Sequence, residues 1–292
     1  MGAAAGMVPD DRVLRSTRLL SGFIAPFLIG AFVLLYGFPS DTGRLFAWTI
    51  TPTLTPMVLA SAYLGGFYFF IRALWEPRWA SLRLGLVAVA VFATLLGVAT
   101  VVHWDRFNHA HVAFWLWAGL YFTAPFLVVG AYVANRAWSA PPQPSEPRLG
   151  RVAQLVVAVF GAAALITGLT MFIVPVLIIP IWPWALTPLT CRVVGAIFCL
   201  GCAGIGAALD PRWIALRLMT QVEVVMVTLI LIAALRAPGD FYPGRPLTWL
   251  LLAGFLALLA GSAYLWLVQE IAPKRHTHDT NETPTTTGGE ER

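Results

Sequence analysis

The sequence contains few charged residues and almost no lysine. Charged residues make up 11% of its 292 residues, and Lys274 is its single lysine. A soluble domain carries about 25% charged residues, so this chain lacks the polar surface needed to face water on all sides. The net charge of +5 comes from arginines between apolar runs, a pattern typical of membrane orientation. We therefore expect a lipid bilayer as partner, and no nucleic acid.

Cysteine and catalytic motifs are also scarce. The chain has three cysteines, Cys191, Cys199 and Cys202, all in or near one apolar run. One CxxC spacing without a second pair indicates small buried thiols rather than a zinc or redox site. No phosphate-binding loop, GxSxG or HExxH motif occurs. ATP-driven transport by this chain alone is thus disfavoured, and the sequence leaves open whether the protein is an enzyme and which cofactor, if any, it holds.

Long apolar runs dominate what remains. Hydrophobic residues make up 59% of the chain, and a helix of roughly 20 apolar residues crosses a bilayer. These runs predict an all-α integral membrane protein. We place eight transmembrane helices at residues 18–37, 53–74, 83–102, 111–134, 152–174, 188–208, 214–235 and 247–269.

The basic residues between these runs are unevenly distributed. Thirteen lie on the side of the two termini and four on the other side. In membrane proteins the basic residues that flank transmembrane helices are more frequent on the cytoplasmic side of the membrane. We therefore predict a protein of the bacterial plasma membrane with both termini cytoplasmic.

One nine-residue segment occurs twice. Residues Glu76–Leu84 return as Asp210–Leu218, with six of nine positions identical. The recurrence predicts two parallel four-helix repeats, at 18–136 and 152–270. A cytoplasmic N-terminus (1–17), a proline-rich cytoplasmic linker (137–151) and a disordered cytoplasmic tail (271–292) complete the chain. Glu76 and Asp210 are expected to cap helices that begin at the following proline.

Proline-interrupted segments precede the second helix of each predicted repeat. The first contains Trp48, Thr51 and Thr55, and the second contains Trp182 and Trp184. Irregular backbone at membrane depth is tolerated only against protein or a water-filled cavity, and paired interruptions of this kind point to a binding site between repeats. These five residues are therefore candidate substrate-binding residues. The alternative is a pair of interfacial loops that contain ordinary aromatic-belt tryptophans.

Two groups of polar residues have no counterpart in the other predicted repeat. The loop after the third helix holds His103, Asp105, His109 and His111, a workable ligand set for zinc or iron; the alternative is a solvated loop. Glu223 lies inside the seventh helix, and a carboxylate at that depth is a functional candidate by default. With the nearby Gln221 it joins the candidate substrate-binding residues.

The sequence leaves two questions about arginines open: whether one of them pairs with Glu223, and where Arg192 points. Glu223 could instead pair with Arg72 or Arg217, whose long side chains reach toward water. Arg192, close to the outer membrane interface, is expected to extend outward in the same way.

Two short motifs give a resemblance. Phe46-Ala47-Trp48 followed by Thr51-Pro52, and His103-Trp104-Asp105-Arg106-Phe107, resemble segments of multi-pass membrane proteins of high-GC bacteria. The resemblance covers chiefly the first half and implies no activity.

Three functions fit these patterns. The leading hypothesis is a carrier or binding protein for a small or amphiphilic solute, with Glu223 as a proton-coupling group. The alternatives are an accessory subunit that packs against other membrane subunits, and a membrane metal protein or enzyme that uses the loop from His103 to His111.

Overall fold

The computed structural model describes residues 10–271, and within that range the protein is helical and forms no β-strand. Eight of the helices in this range are long and apolar enough to cross a membrane. This confirms the prediction of an all-α membrane protein with eight spans. We number them α1 (Arg15–Gly37), α2 (Leu54–Trp75), α3 (Arg83–Val102), α4 (Val112–Arg136), α5 (Arg151–Ile173), α6 (Pro188–Leu209), α7 (Trp213–Arg236) and α8 (Pro246–Glu270). The predicted tail and most of the predicted N-terminal segment lie outside the described residues.

The helices pack in a pattern that recurs along the chain. α1 packs on α2 as α5 packs on α6, and α3 packs on α4 as α7 packs on α8. Between these pairs, α2 contacts α7 and α3 contacts α6. One difference breaks the pattern: α1 touches α4, whereas α5 and α8 do not pack against each other. A gap therefore separates α5 from α8.

α5 and α6 approach closely because glycines line both helices. A Cβ atom added to Gly168 would lie 2.5 Å from the carbonyl oxygen of Gly195, and one added to Gly161 would lie 2.6 Å from that of Gly201. Small residues allow membrane helices to reach such backbone contact. α6 is locally tightened here into a 3₁₀ turn at Cys199–Gly201.

Backbone hydrogen bonds join the segments that precede α1, α3, α5 and α7. We call this the arginine-rich side of the protein. The bonds form two matching sets: Trp79 N to Asp11 O (2.6 Å) and Val13 N to Pro77 O (3.3 Å), then Trp213 N to Pro147 O (2.8 Å) and Leu149 N to Pro211 O (2.8 Å). On the opposite side, Asn108 N donates to Ala47 O at 2.8 Å and Tyr242 N to Pro183 O at 2.7 Å.

The expectation that Glu76 and Asp210 cap helices at the following proline is wrong. α3 begins at Arg83 and α7 at Trp213, and neither helix has a side-chain cap. Glu76 instead accepts a hydrogen bond from Ser81 Oγ at 3.1 Å. Asp210 accepts from Arg212 Nε at 2.8 Å. Asp210 also accepts from the backbone amide of Arg212 at 3.2 Å, just before α7, so both acids form polar contacts on the arginine-rich side instead of capping a helix at the proline.

Candidate functional site: an interhelical cavity

A large apolar cavity occupies the gap between α5 and α8. Its volume is about 1170 Å³, and α2, α3, α6 and α7 form its inner walls. Apolar side chains such as Val156, Phe160, Leu251 and Phe255 provide most of its surface. Ligand-binding cavities in proteins typically measure roughly 300–1,000 Å³ and are mostly apolar with a few polar groups. This cavity is therefore large enough for a chain-like or polycyclic molecule.

Only two charged residues line the cavity within the described part of the chain, Glu223 and Arg151. Arg151 is the first residue of α5 and is exposed at the end of the cavity. Glu223 lies ten residues into α7, about 15 Å along the helix from Trp213 at 1.5 Å per residue. Its carboxyl group lies beside the hydroxyl group of Ser262 on α8. Glu223 thus places a carboxyl group in a mostly apolar wall at membrane depth.

The alternative ion pairs of Glu223 do not form among the described residues. Arg217 pairs with Glu270 at 2.8 Å. Arg72 contacts Glu76 at 3.7 Å and donates to Tyr68 Oη at 3.2 Å. Because both arginines are engaged elsewhere, Glu223 faces the cavity without a cationic partner from residues 10–271.

Gln221 lies on a different face of α7 from Glu223. Its side-chain oxygen accepts a hydrogen bond from Tyr68 Oη at 2.9 Å and a longer one from Arg72 at 3.4 Å. These contacts hold α7 against α2, and Gln221 is not part of the cavity wall. The structure therefore separates two residues that the sequence placed in one candidate site.

The second proline-interrupted segment reaches the cavity. Trp182 and Trp184 both line it and stack edge to face, with ring centroids 5.2 Å apart. Trp184 Nε1 donates to Thr55 Oγ1 at 3.0 Å, so Thr55 supports the wall from behind. Arg245 donates to the backbone oxygen of Trp182. These bonds hold both indoles in place at the end of the cavity away from the arginine-rich side.

Two candidate residues of the first proline-interrupted segment, Trp48 and Thr51, do not reach the cavity, although Leu54 of that segment lines it. Trp48 is buried in an aromatic cluster, with Trp117 at 4.8 Å and Phe107 at 5.0 Å between ring centroids. Thr51 is exposed and takes no part in the cavity wall. The two segments therefore differ: one is packed against α4, and the other is open to the gap between α5 and α8.

The loop from His103 to His111 does not gather its polar groups. Within residues 10–271 no three histidine, cysteine or acidic side chains converge on a point that could hold a metal ion. His111 Nδ1 accepts from Ala113 N at 3.1 Å, and the His109 ring packs on Phe114 at 4.7 Å. Asp105, 75% exposed, pairs with Arg106 at 3.3 Å. The metal assignment stays a prediction that this geometry does not favour.

His103 instead bonds with Arg192. The two side chains approach to 2.8 Å, so Arg192 on α6 contacts the end of α3 rather than extending alone toward water. Burial, and then the positive charge of Arg192, lower the pKa of His103 below its ordinary value. Because the guanidinium group of Arg192 has no acceptor, Nε2 of His103 accepts the hydrogen bond between them.

An ion-pair cluster on the arginine-rich side was not predicted from the sequence. The sequence places Glu146 in an extended linker. In the structure its side chain is 7% exposed and accepts hydrogen bonds from both Arg78 and Arg212. Arg78 also bonds Asp11 at 3.0 Å, and Arg212 bonds Asp210. Burial opposes ionisation of Glu146, but the hydrogen bonds from the two arginines outweigh it and lower its pKa. The recurrence of Arg78 and Arg212 in the repeated segment is the one signal that pointed here.

Comparison with known proteins adds no assignment: no family model, no curated protein and no solved structure matches the chain.

Proposed function

We propose that this membrane protein binds a small or amphiphilic solute in the cavity between α5, α7 and α8, as a binding protein or a carrier. The observation that carries the proposal is an apolar cavity of about 1170 Å³ whose wall contains the carboxyl group of Glu223. A carboxylate at membrane depth is rare and marks substrate or ion pathways. Trp182 and Trp184 define one end of the site and Arg151 the other.

Filling the cavity tests this proposal. Gly261 lies on the cavity wall, and a Cβ atom added there meets nothing within 4 Å. A Gly261→Trp variant is therefore expected to fold and to occupy the binding space. We expect saturable photolabelling of the protein by an alkyl diazirine alcohol in nanodiscs to fall at least tenfold, the change that a 1.4 kcal/mol loss produces.

Gly130→Trp is the matched control for this experiment. Gly130 on α4 also has open space around it but does not line the cavity. Its labelling should equal that of the wild type. Equal labelling of all three proteins would show that the probe does not use the cavity and would refute the proposal.

Proton coupling is part of the proposal and rests on Glu223. If the carboxyl group exchanges a proton during binding or transport, Glu223→Gln should give binding or uptake that no longer varies with pH. Photolabelling of the protein, or solute uptake into proteoliposomes, is measured at a series of pH values for the wild type and for Glu223→Gln. An unchanged pH profile would remove this role from Glu223.

We further propose a bacterial plasma-membrane location with both termini in the cytoplasm, and an origin by duplication of a four-helix unit. The uneven distribution of arginines supports the orientation. The matching hydrogen bonds Trp79 to Asp11 and Trp213 to Pro147, together with the recurring helix contacts, support the duplication.

A second candidate function is an accessory role beside other membrane subunits. It is favoured by α8, of which only 6% is buried and which packs mainly on α7, with one aromatic pair to α6 between Phe255 and Phe198 at 6.5 Å. In a mild detergent such a role predicts a stable complex with another membrane protein. Recovery of the chain alone would count against it.

A further inference from the structure

We infer that the ligand is an amphiphilic amine, which enters from the bilayer between α5 and α8 and places its ammonium group at Glu223. This inference rests on the proposed function and deepens it by naming the class of ligand and its route. It depends on three features of the cavity: its length, its opening and the one carboxyl group that residues 10–271 place in its wall.

The length of the cavity suits an extended apolar skeleton. Along α5 and the residue before it, the wall runs from Gly150 to Thr167, and along α8 from Leu247 to Leu265. At 1.5 Å per residue these stretches measure about 25–27 Å, close to the roughly 30 Å thickness of the hydrocarbon core. A site of that length with apolar walls matches a molecule with an alkyl or polycyclic body rather than a small polar solute.

The opening of the cavity faces the region that lipid chains occupy. α5 and α8 do not pack against each other, and outside the cavity they carry exposed apolar residues such as Leu155, Val159 and Leu256. A molecule dissolved in the bilayer can therefore pass between these helices without crossing water. An amphiphile concentrated in the membrane is the natural occupant of such a site.

The carboxyl group in the cavity wall favours a cationic amphiphile over an anionic one. Glu223 has no cationic partner among the described residues, and the hydroxyl groups of Thr220 and Ser262 line the cavity with it. An ammonium group needs an opposite charge and hydrogen-bond acceptors when it leaves water, and these groups supply both. An anionic amphiphile would instead meet repulsion from Glu223, while Arg151 stays exposed to solvent at the far end.

The test compares two probes that differ only in their polar end: an alkyl diazirine amine and the matched alkyl diazirine alcohol. The protein is placed in nanodiscs of phosphatidylcholine, and labelling is normalised to labelling of the lipid in the same sample. We expect half-saturation of the wild type by the amine at a concentration at least tenfold lower than by the alcohol. Charge-assisted hydrogen bonds of this kind give such a difference.

Glu223→Gln should abolish the preference by raising the half-saturation concentration of the amine to that of the alcohol, and thermal unfolding of the variant shows whether it is folded. Equal half-saturation of the wild type by the two probes would overturn the amine assignment and leave the proposed function standing. A preference that persists in Glu223→Gln would overturn it as well. Absence of saturable labelling by either probe would refute the proposed function itself. The wild-type comparison needs no variant, so the test holds even if Glu223→Gln fails to fold.

Discussion

Replacing Glu146 with glutamine is expected to lower the free energy of unfolding by about 3 kcal/mol, the lower end of the cost of breaking a buried ion pair. The side chain is 7% exposed and pairs with Arg78 and Arg212. Glutamine keeps the shape but removes the charge, so the buried guanidinium group of Arg212 and the partly buried one of Arg78 lose a counter-ion. Each arginine keeps a second carboxylate, Asp11 or Asp210, which is why the upper end of the range is not expected.

Thermal unfolding in detergent, followed by tryptophan fluorescence, measures this effect. Asp41→Asn is the control, because Asp41 forms an exposed pair with Arg44 at 4.0 Å and exposed pairs contribute about 0–1 kcal/mol. If Glu146→Gln and the wild type unfold at the same temperature, the cluster around Glu146 does not hold the two repeated segments together.

The pH dependence of this effect has a defined sign. The pKa of Glu146 is lower in the folded protein than its ordinary value of 4.5. Its stabilising contribution is therefore fully present above that ordinary value and is lost as the pH falls through the folded pKa. The difference between the wild type and Glu146→Gln should be constant near neutral pH and shrink in acid.

Replacing Gly168 with alanine is expected to destabilise the protein by about 2–3 kcal/mol, the upper range for overpacking a tight contact. The new Cβ atom would lie 2.5 Å from the backbone oxygen of Gly195 and 2.8 Å from the backbone nitrogen of Cys199. These are backbone atoms, so no side chain can rotate away and the two helices must separate. Because α5 also forms a wall of the cavity, Gly168→Ala should reduce saturable labelling of the protein as well as its stability.

Gly119→Ala provides the matched comparison. Gly119 lies in α4, and an added Cβ atom meets nothing within 4 Å. Alanine has a higher helix propensity than glycine by about 1 kcal/mol, so this variant should be neutral or slightly more stable in the same unfolding assay. If both variants melted alike, α5 and α6 would not be in the close contact described here.

The sequence predicted the helices well because crossing a bilayer imposes a length and a composition on each one. It was less informative about the candidate site. Trp48 and Trp184 both precede the second helix of a half, yet Trp48 is surrounded by Trp117 and Phe107, whereas Trp184 borders the cavity. That difference depends on how closely α4 and α8 approach their neighbours, which is decided by packing and leaves no local sequence pattern.

Glu146 and Gln221 show two further limits. Glu146 lies among prolines, and the composition of that segment gave no sign that its carboxylate would be buried between two distant arginines. Gln221 is two residues from Glu223, and on a helix such neighbours face different directions. Glu223 could be singled out as a candidate from the sequence because a carboxylate within an apolar run is unusual in any arrangement of the helices, and it does line the cavity.

Native mass spectrometry of protein released gently from its membranes tests the central claim most directly, because it weighs the protein together with whatever the cavity holds. We predict that the wild type and Gly130→Trp retain the same small amphiphilic molecule and that Gly261→Trp does not. The same bound mass on all three proteins, or none on the wild type, would contradict the assignment of the cavity between α5, α7 and α8 as a binding site.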